Sequence, residues 1–468
     1  MTSEPRLSLQ SLPKVDRVIE DPRVKLLLER HGRTLVVDEL RRYLDRLRHT
    51  LLEQPATDCP PYDALVEDFV REAEYTLLPT LRRCVNAAGI VLHTALGRAP
   101  FAEEAQTALQ EAVLGYSTLQ VNLESGKRGD RHAHVEELLK YLTGAESAIV
   151  VNNNAAATLL ILNTLAEGRE VVISRGELVE IGGSFRIPDV LRRSGASLVE
   201  VGTTNRTHLR DYAGAITERT GVLMKVHQSN YRIIGFTSEV PIGELATLAH
   251  ERNLVAVDDV GSGAIVDLSR WHLPKEPVVR ESVAAGADLV CFSGDKLIGG
   301  PQCGIVVGKK DLIDRLKRNQ LTRALRCDKM TYAVLAATLR LFLDEDTLLA
   351  RHPVLRMLTM PEGEIEARAR QLSGKLEPML TAHGTLAVER DTSEAGSGSL
   401  AGFALRTWVV RVIIHGVTAE TVGRRLRQEE VPVIARISDD AITLDCRTIS
   451  DGEIPCIVKA VASILRTM

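Results

Sequence analysis

The stretch "DLVCFSGDKLIGGPQCGIVVGKK" (residues 288–310) contains two short apolar runs, "DLVCFS" (288–293) and "GIVVG" (304–308), which predict two buried strands. The intervening "GDKLIGGPQC" is too short for the crossover that joins parallel strands, so we expect the second strand to run antiparallel to the first. Lys296 stands in that turn. Because lysine is rarely buried without a partner, it is either an exposed turn residue or a functional amine.

Similar apolar runs occur upstream of this stretch, separated by segments of helix length. They are "SAIVV" (147–151), "EVVIS" (170–174), "SLVEVG" (197–202), "GVLMKVH" (221–227) and "LVAVDDV" (254–260). This alternation predicts an α/β protein with a mostly parallel seven-stranded sheet, covered by helices on both faces. We assign the sheet to a catalytic domain at residues 81–345.

The flanking regions have different patterns. In residues 1–80 apolar side chains recur every three or four positions, which predicts a helical domain: either a bundle that only packs against the rest or a separate recognition domain. Residues 346–468 begin helical and continue with strand-like runs and two helices, which predicts a small α+β domain. The segment "EAGSGSLAG" (394–402) indicates a flexible or turn-forming hinge.

Composition limits the class of protein. A chain of 468 residues with 44% hydrophobic content has room for two or three domains, and its net charge of −4 argues against general nucleic-acid coating. The seven cysteines are scattered without a C-x-x-C pair, which favours neither a disulfide framework nor a zinc site. No signal-peptide core or membrane-length apolar run is evident. We expect a cytoplasmic protein with neither DNA nor a membrane as partner.

Distinctive side chains follow three of the predicted strands, at the sheet edge where α/β proteins bind ligands. Asn153, Asn154 and Ala155 begin a helix, whose free N–H groups suit a phosphate, although ordinary N-capping by asparagine is the favoured explanation of this stretch taken alone. Asp259 ends a buried strand, where a carboxylate is costly without a cation. A metal is conceivable there, but no His/Cys/Asp cluster accompanies it. Lys296 follows at the next strand.

A lysine, a buried carboxylate and an anion site are the set that pyridoxal 5′-phosphate (PLP) requires. Lys296 would form the Schiff base and Asp259 would pair with the ring nitrogen. Ser293 suits the cofactor phosphate and Asn230 its ring hydroxyl. His227 lies in the same loop as Asn230, but a histidine that ends a strand or packs in the core explains it as well as a contact with the cofactor does.

Three arginines add a possible second anion site. Arg98 lies in "LHTALGRAP", and Arg323 and Arg326 lie three residues apart in "LTRALRCDKM", on one helical face. The guanidinium fork matches the geometry of a tetrahedral oxyanion such as phosphate. A solvated helix face is the alternative for the last two.

A series of long stretches resembles the bacterial selenocysteine synthase family, the L-seryl-tRNA(Sec) selenium transferases, most densely over residues 84–335. They are "NAAGIVLHTALGRAP", "VNNNAAATLL", "SRGELVEIGGSFRIPDV", "VGTTNRTH", "VHQSNY", "DDVGSG", "FSGDKLIGGPQCGIVVGKK" and "RALRCDKMT". The resemblance implies the PLP-dependent transferase fold of type I, with Lys296 as the Schiff-base lysine and Asp295 as a neighbouring catalytic acid. It further implies that Arg98, Arg323 and Arg326 line the pocket of the selenium donor.

The resemblance also implies partners and a reaction. In this family the N-terminal helices grip tRNA(Sec), and the chains assemble as a decamer of dimers with active sites at the dimer interfaces. L-seryl-tRNA(Sec) is converted to L-selenocysteinyl-tRNA(Sec) with selenophosphate, through a PLP-bound aminoacrylyl-tRNA. Lys296 would take the Cα proton, and Asp295 would protonate the leaving hydroxyl.

Two other classes of protein stay open from the sequence. One is another fold type I PLP lyase or desulfurase acting on a small amino acid or amino sugar, in which Arg436 of "VPVIARIS" would bind the substrate carboxylate. The other is a tRNA-binding scaffold without catalysis, against which the intact pair of Lys296 and Asp259 argues.

Overall fold

The computed structural model describes residues 11–53, 58–182 and 185–466, whose strands form a seven-stranded sheet, a five-stranded sheet and a two-stranded hairpin. In chain order the strands are Val85–Ala87 (β1), Ser147–Val151 (β2), Glu170–Ser174 (β3), Glu180–Ile181 (β4), Phe185–Arg186 (β5), Ser197–Val201 (β6), Thr220–Val226 (β7), Val255–Gly261 (β8), Leu289–Ser293 (β9), Gly304–Gly308 (β10), Gly384–Ser393 (β11), Leu405–Ile414 (β12), Val433–Ser438 (β13) and Ala441–Asp445 (β14). The α-helices are Val15–Ile19 (α1), Pro22–His31 (α2), Arg33–Glu53 (α3), Tyr62–Thr76 (α4), Glu103–Val113 (α5), Ala133–Thr143 (α6), Asn154–Ala166 (α7), Ile187–Arg193 (α8), Leu209–Ala215 (α9), Ile242–Glu251 (α10), Val279–Ala284 (α11), Lys310–Arg318 (α12), Leu321–Ala324 (α13), Lys329–Leu341 (α14), Glu345–Arg351 (α15), Pro353–Thr359 (α16), Glu362–Leu380 (α17), Ala419–Gln428 (α18) and Ile454–Arg466 (α19).

The large sheet has the strand order β2-β10-β9-β8-β7-β3-β6, and only β10 runs antiparallel to its neighbours. All residues of β2, β3, β9 and β10 are buried. Helices α7 and α12 cover one face of the sheet, and the other face is covered by α6 and α14 at β2, β9 and β10 and by α9 and α10 at β3. The predicted α/β class is therefore confirmed, including the mostly parallel seven-stranded sheet and its one antiparallel strand.

The register of the sheet positions the candidate site. Asp259 in β8 lies opposite Cys291 in β9, and both strands run in the same direction. The turn that carries Lys296 therefore begins beside the end of β8, at the edge where ligands of open α/β sheets collect.

The N-terminal helices α1 to α4 enclose a core of their own, which includes Val24, Leu40 and Phe69. Asp21 caps α2, since its carboxylate accepts from the Arg23 N–H at 3.0 Å, and Gly32 with a φ of 82° separates α2 from α3. The prolines of "EQPATDCPP" (53–61) predict a break between two helices, and this stretch falls partly on 54–57, which lie outside the described residues. The limits 1–80, 81–345 and 346–468 stay a prediction.

The smaller sheet has the order β1-β13-β14-β12-β11 and packs against α17, α18 and α19. Its edge strand β1 precedes the large sheet in sequence and pairs in parallel with β13, through Val85 opposite Val433. The pairing anchors the chain just before the loop that leads to Arg98.

The segment 394–402 forms turns and bends over 397–402, as predicted, and Glu394 at its start bridges to Ile90. Ala395, Ser399 and Leu400 within the segment are buried. Each of the seven cysteines has a free thiol. In the described part of the chain, no helix is long and apolar enough to cross a membrane.

Candidate active site

Lys296 lies in the tight turn between β9 and β10, and the residue is only 5% exposed. Gly299, with a φ of 71°, closes this turn by donating its N–H to the Lys296 carbonyl at 2.9 Å. Burial lowers the pKa of the Lys296 amine, and the charge of Arg98 lowers it further, against the opposing effects of Asp259 and Asp295. A lysine with a lowered pKa is a better nucleophile and base at neutral pH.

Asp259 lies buried at the end of β8, and its carboxylate accepts three hydrogen bonds. The donors are the Asn154 amide at 2.9 Å, the Thr158 hydroxyl at 3.1 Å and the Gly261 N–H at 3.1 Å. Burial raises the pKa of Asp259, while the hydrogen bonds from Asn154 and Thr158 and the charge of Lys296 act in the opposite direction. A cationic partner would complete this site.

Thr158 is a further residue of this site that was not among the predicted ones. It follows Asn154 by one helical turn of α7, so both side chains point to the same side and reach the same carboxylate. That spacing was the only signal available in the sequence.

The beginning of α7 forms the candidate anion site. Asn153 is the N-cap, because its side chain accepts from the Ala156 N–H at 2.8 Å, while Ala155 lies half-buried in the first turn. The ordinary capping role of Asn153 is therefore present. The Asn154 Oδ1 atom is buried without a hydrogen-bond partner in the described residues, so the site has an unused acceptor beside free helix N–H groups.

The anion site depends on Gly304 of β10, where α7 passes directly over the strand. A Cβ atom at this position would lie 2.1 Å from the Asn153 carbonyl oxygen and 2.8 Å from the Asn154 nitrogen. Because both are backbone atoms, no side-chain rotation relieves the clash.

We therefore expect Gly304→Ala to displace the start of α7, and to lower the free energy of unfolding by about 1–3 kcal/mol. Thermal unfolding and phosphate or PLP titration measure the two effects. Gly363→Ala is the matched control, because a Cβ there meets no atom within 4 Å. Equal unfolding midpoints for the two variants would contradict the close approach.

Asp295 is buried next to Lys296 and pairs with Arg98 at 2.5 Å. Arg98 has a φ of 63°, an uncommon conformation for a residue other than glycine, and it follows Gly97 at 87°. Strained backbone of this kind is concentrated at functional sites. The structure thus brings together Arg98, Asp295 and Lys296.

Arg323 and Arg326 are exposed and line a pocket of about 280 Å³ with Arg131 and Lys317, whereas Arg98 lines a different pocket. The backbone of the segment reaches the anion site, since the Leu325 carbonyl accepts from the Asn152 N–H at 2.9 Å. Within one chain, the three arginines therefore do not share a pocket.

The remaining predicted residues differ in how deeply they are buried and in their hydrogen-bond partners. Ser293 is buried at the end of β9. Asn230 is exposed, and its amide donates to the Glu180 carbonyl at 2.7 Å. The His227 Nδ1 atom is buried without a partner in the described residues, and burial lowers the pKa of this imidazole.

Arg436 is already paired. Its guanidinium contacts Asp391 at 2.9 Å and the fully buried Asp445 at 3.2 Å. It is thereby held in the smaller sheet by two carboxylates.

The strand order, the single antiparallel strand and the buried lysine and aspartate at one sheet edge define an α/β protein with the fold of the PLP-dependent transferases. The solved structure of D-glucosaminate-6-phosphate ammonia-lyase has the same fold, with a TM-score of 0.57 and 23% identity over 83% of this chain and 96% of that one.

The sequence comparisons identify the family. The family model "L-seryl-tRNA selenium transferase" matches residues 84–450, and "Selenocysteine synthase N terminal" matches residues 9–48. L-seryl-tRNA(Sec) selenium transferase of Geobacter sulfurreducens is 47% identical, over 96% of this chain and 97% of its own. That of Carboxydothermus hydrogenoformans is 46% identical over 95% of each. The chain belongs to the L-seryl-tRNA selenium transferase family, and the predicted resemblance is confirmed.

Proposed function

We propose that this protein converts L-seryl-tRNA(Sec) to L-selenocysteinyl-tRNA(Sec) with PLP as cofactor and selenophosphate as selenium donor. The observation that carries the proposal is the cluster of Lys296, Asp259 and the Asp295–Arg98 pair, in a chain of this family. Each member has a distinct task in replacing a β-hydroxyl by selenium.

The residues present fit PLP. Its phosphate suits the free N–H groups around Asn154 and Ala155 at the start of α7, which lies against Gly304 of β10 with no room for a side chain. Its ring nitrogen suits the buried carboxylate of Asp259, and its aldehyde suits the buried amine of Lys296. When bound, PLP supplies an electron sink for the electron pair left at Cα of the substrate.

The chain itself moves the protons. Lys296, whose pKa is lowered by burial, takes the proton from Cα of the serine. Asp259 keeps a proton on the cofactor nitrogen. The ion pair with Arg98 holds Asp295 as a carboxylate beside Lys296. The proton that Lys296 has taken from Cα can then pass through Asp295 to the leaving hydroxyl, which departs as water.

The selenium donor is an anion, for which the chain offers guanidinium groups. Arg98 suits the phosphate of selenophosphate beside Lys296, and Arg323 and Arg326 suit an anion in their own pocket. These arginines line separate pockets within one chain. An active site at a dimer interface would bring Arg98 of one chain together with Arg323 and Arg326 of the other, so that all three could bind the donor.

We further propose a homo-oligomer, a decamer built from dimers, in the cytoplasm. Exposed apolar side chains support association: Leu114 is 85% exposed and Leu123 is 77% exposed, a costly arrangement for an isolated chain. The N-terminal helices, with their separate core, suit a module that holds the tRNA.

The alternative of a lyase or desulfurase acting on a free amino acid needs a cation for the substrate carboxylate. Arg436 was the candidate for that task, but two carboxylates, Asp391 and the fully buried Asp445, already neutralise its charge. Arg98, in contrast, has Asp295 as its one carboxylate partner among the described residues. A substrate whose carboxyl is esterified to tRNA needs no such cation.

Turnover of seryl-tRNA(Sec) and of free L-serine, each with selenophosphate, tests this distinction. We expect product from the ester only, and Arg436→Gln is expected to leave the discrimination unchanged. Conversion of free serine at the rate of the ester, with loss of that activity in Arg436→Gln, would show that Arg436 binds a carboxylate and would overturn the assignment.

A further inference from the structure

The segment 394–402, here called the strap, has an unusual backbone. Residues with positive φ are Gly396 (81°), Ser397 (48°), Gly398 (70°), Leu400 (50°) and Gly402 (69°). Leu400 is notable among them because a bulky residue rarely adopts this conformation, and it is also 2% exposed. Such a conformation persists only where surrounding contacts fix it, and it is concentrated at functional sites.

One end of the strap is bonded to the segment that leads to Arg98. The N–H of Val91 donates to the Glu394 carbonyl at 3.0 Å, and the N–H of Leu92 donates to the Ala395 carbonyl at 2.7 Å. The Ser397 hydroxyl donates to the Leu92 carbonyl at 2.6 Å. Residues 89–98 therefore depend on the strap for their position.

The other end of the strap is bonded to Glu276. This glutamate is 4% exposed, and its Oε1 atom accepts from the strained Leu400 N–H at 2.9 Å. Its Oε2 atom accepts from the Ser262 hydroxyl at 2.8 Å. The Ser262 carbonyl in turn accepts from the N–H of Leu297 at 3.2 Å, next to Lys296.

The middle of the strap closely approaches a third loop of the site. A Cβ atom at Gly398 would lie 2.9 Å from the Ser229 carbonyl oxygen, in the "VHQSNY" loop. The strap thus contacts the loops that carry Arg98, His227 and, through Glu276 and Ser262, Lys296.

We propose that Glu276 is a positioning residue: by holding the strap to Ser262, it keeps the segment bearing Arg98 in register with the turn bearing Lys296. Neither the sequence motifs nor the chemistry of PLP and selenophosphate assigns a task to this carboxylate. Its charge also raises the pKa of Lys296, against the effect of burial. The kinetic part of its test rests on the proposed function, but the structural part does not.

Three variants of the full-length protein test the proposal by hydrogen–deuterium exchange, with and without PLP. Glu276→Ala leaves the Leu400 N–H without its acceptor, so we expect exchange about tenfold faster in residues 394–402 and also in 89–98. Glu276→Gln is expected to exchange like the wild type, because the glutamine oxygen can accept from the Leu400 N–H and the glutamine amide can donate to the Ser262 hydroxyl oxygen. The Ser262 hydroxyl can then donate to the Val260 carbonyl, which lies at 3.3 Å. Glu281→Ala is the matched control, an exposed glutamate paired with Lys275.

The kinetic expectation is a rise of about tenfold in KM for selenophosphate in Glu276→Ala and rescue in Glu276→Gln, because Arg98 loses its position. If Glu276→Ala fails to fold, Glu276→Asp replaces it, since a shorter carboxylate cannot reach both partners. Unchanged exchange in 89–98, or equal losses in the alanine and glutamine variants, would overturn the proposal. Absence of turnover in the wild type would overturn the proposed function and leave the exchange result standing.

Discussion

Lys296→Ala is expected to reduce turnover of seryl-tRNA(Sec) by about 10⁴-fold or more, the largest effect of any substitution in this chain. The alanine variant lacks both the amine that joins the cofactor and the base for the Cα proton, and a positioned base alone contributes about 10²–10⁴-fold. With PLP added, the wild type should absorb near the visible edge as a lysine adduct, and the variant should lack that band.

The control for this variant is Lys310→Ala, which removes an exposed lysine paired with Asp314. It should retain both turnover and absorbance. Lys296→Ala with the wild-type band would mean that another amine binds the cofactor, and the assignment of Lys296 would fail.

Asp259→Asn is expected to lower kcat by about 10²–10³-fold while the absorbance of the bound cofactor remains. An asparagine fills the same volume, and its oxygen can still accept from the Asn154 amide and the Gly261 N–H, while its amide donates to the Thr158 hydroxyl. It cannot hold a proton on the ring nitrogen by charge. The expected loss is therefore in the chemical step and not in cofactor binding. Spectral titration with PLP and single-turnover kinetics separate the two.

Asp258→Asn is the matched control, because Asp258 precedes Asp259 in β8 and points to the opposite face of the sheet. Burial raises the pKa of Asp258 to about 6, so this variant changes a buried carboxyl of similar surroundings without touching the cofactor site. If Asp258→Asn and Asp259→Asn lose activity equally, the effect is one of folding and not of chemistry.

The strands of the large sheet were predictable from local sequence. "SAIVV" and "GIVVG" are short apolar runs flanked by turn residues, and the structure has strands Ser147–Val151 and Gly304–Gly308 at the same residues. The antiparallel direction of β10 followed from the length of the turn at Lys296. The positions of the strands follow from the burial of apolar residues, and the direction of β10 follows from the number of residues in the turn, so both can be predicted without knowing distant contacts.

Long-range pairings were not predictable. The strand β1 has only three residues, and its partner β13 lies near the other end of the chain, so no local pattern indicates the pair. The strand β11 was also not predicted. It is covered on one face only, so its buried and exposed residues alternate and it lacks the continuous apolar run by which the strands of the large sheet were predicted.

The candidate site likewise has a part that was predictable from local sequence and a part that was not. The positions of Lys296 and Asp259 at one sheet edge followed from parallel topology, whereas the Arg98–Asp295 pair joins residues far apart in sequence. The role of Glu276 in holding the strap was likewise absent from the sequence, because its partner on the strap is a backbone N–H that any residue at Leu400 would supply.

The most direct test of the central claim is the identity of the amino acid on the tRNA after reaction. The PLP-loaded protein is incubated with selenophosphate and either seryl-tRNA(Sec) or seryl-tRNA(Ser), the ester is hydrolysed, and the released amino acid is identified by mass spectrometry. We predict selenocysteine from tRNA(Sec) and serine from tRNA(Ser). Unchanged serine from both, in protein that retains its cofactor absorbance, would contradict the proposed function.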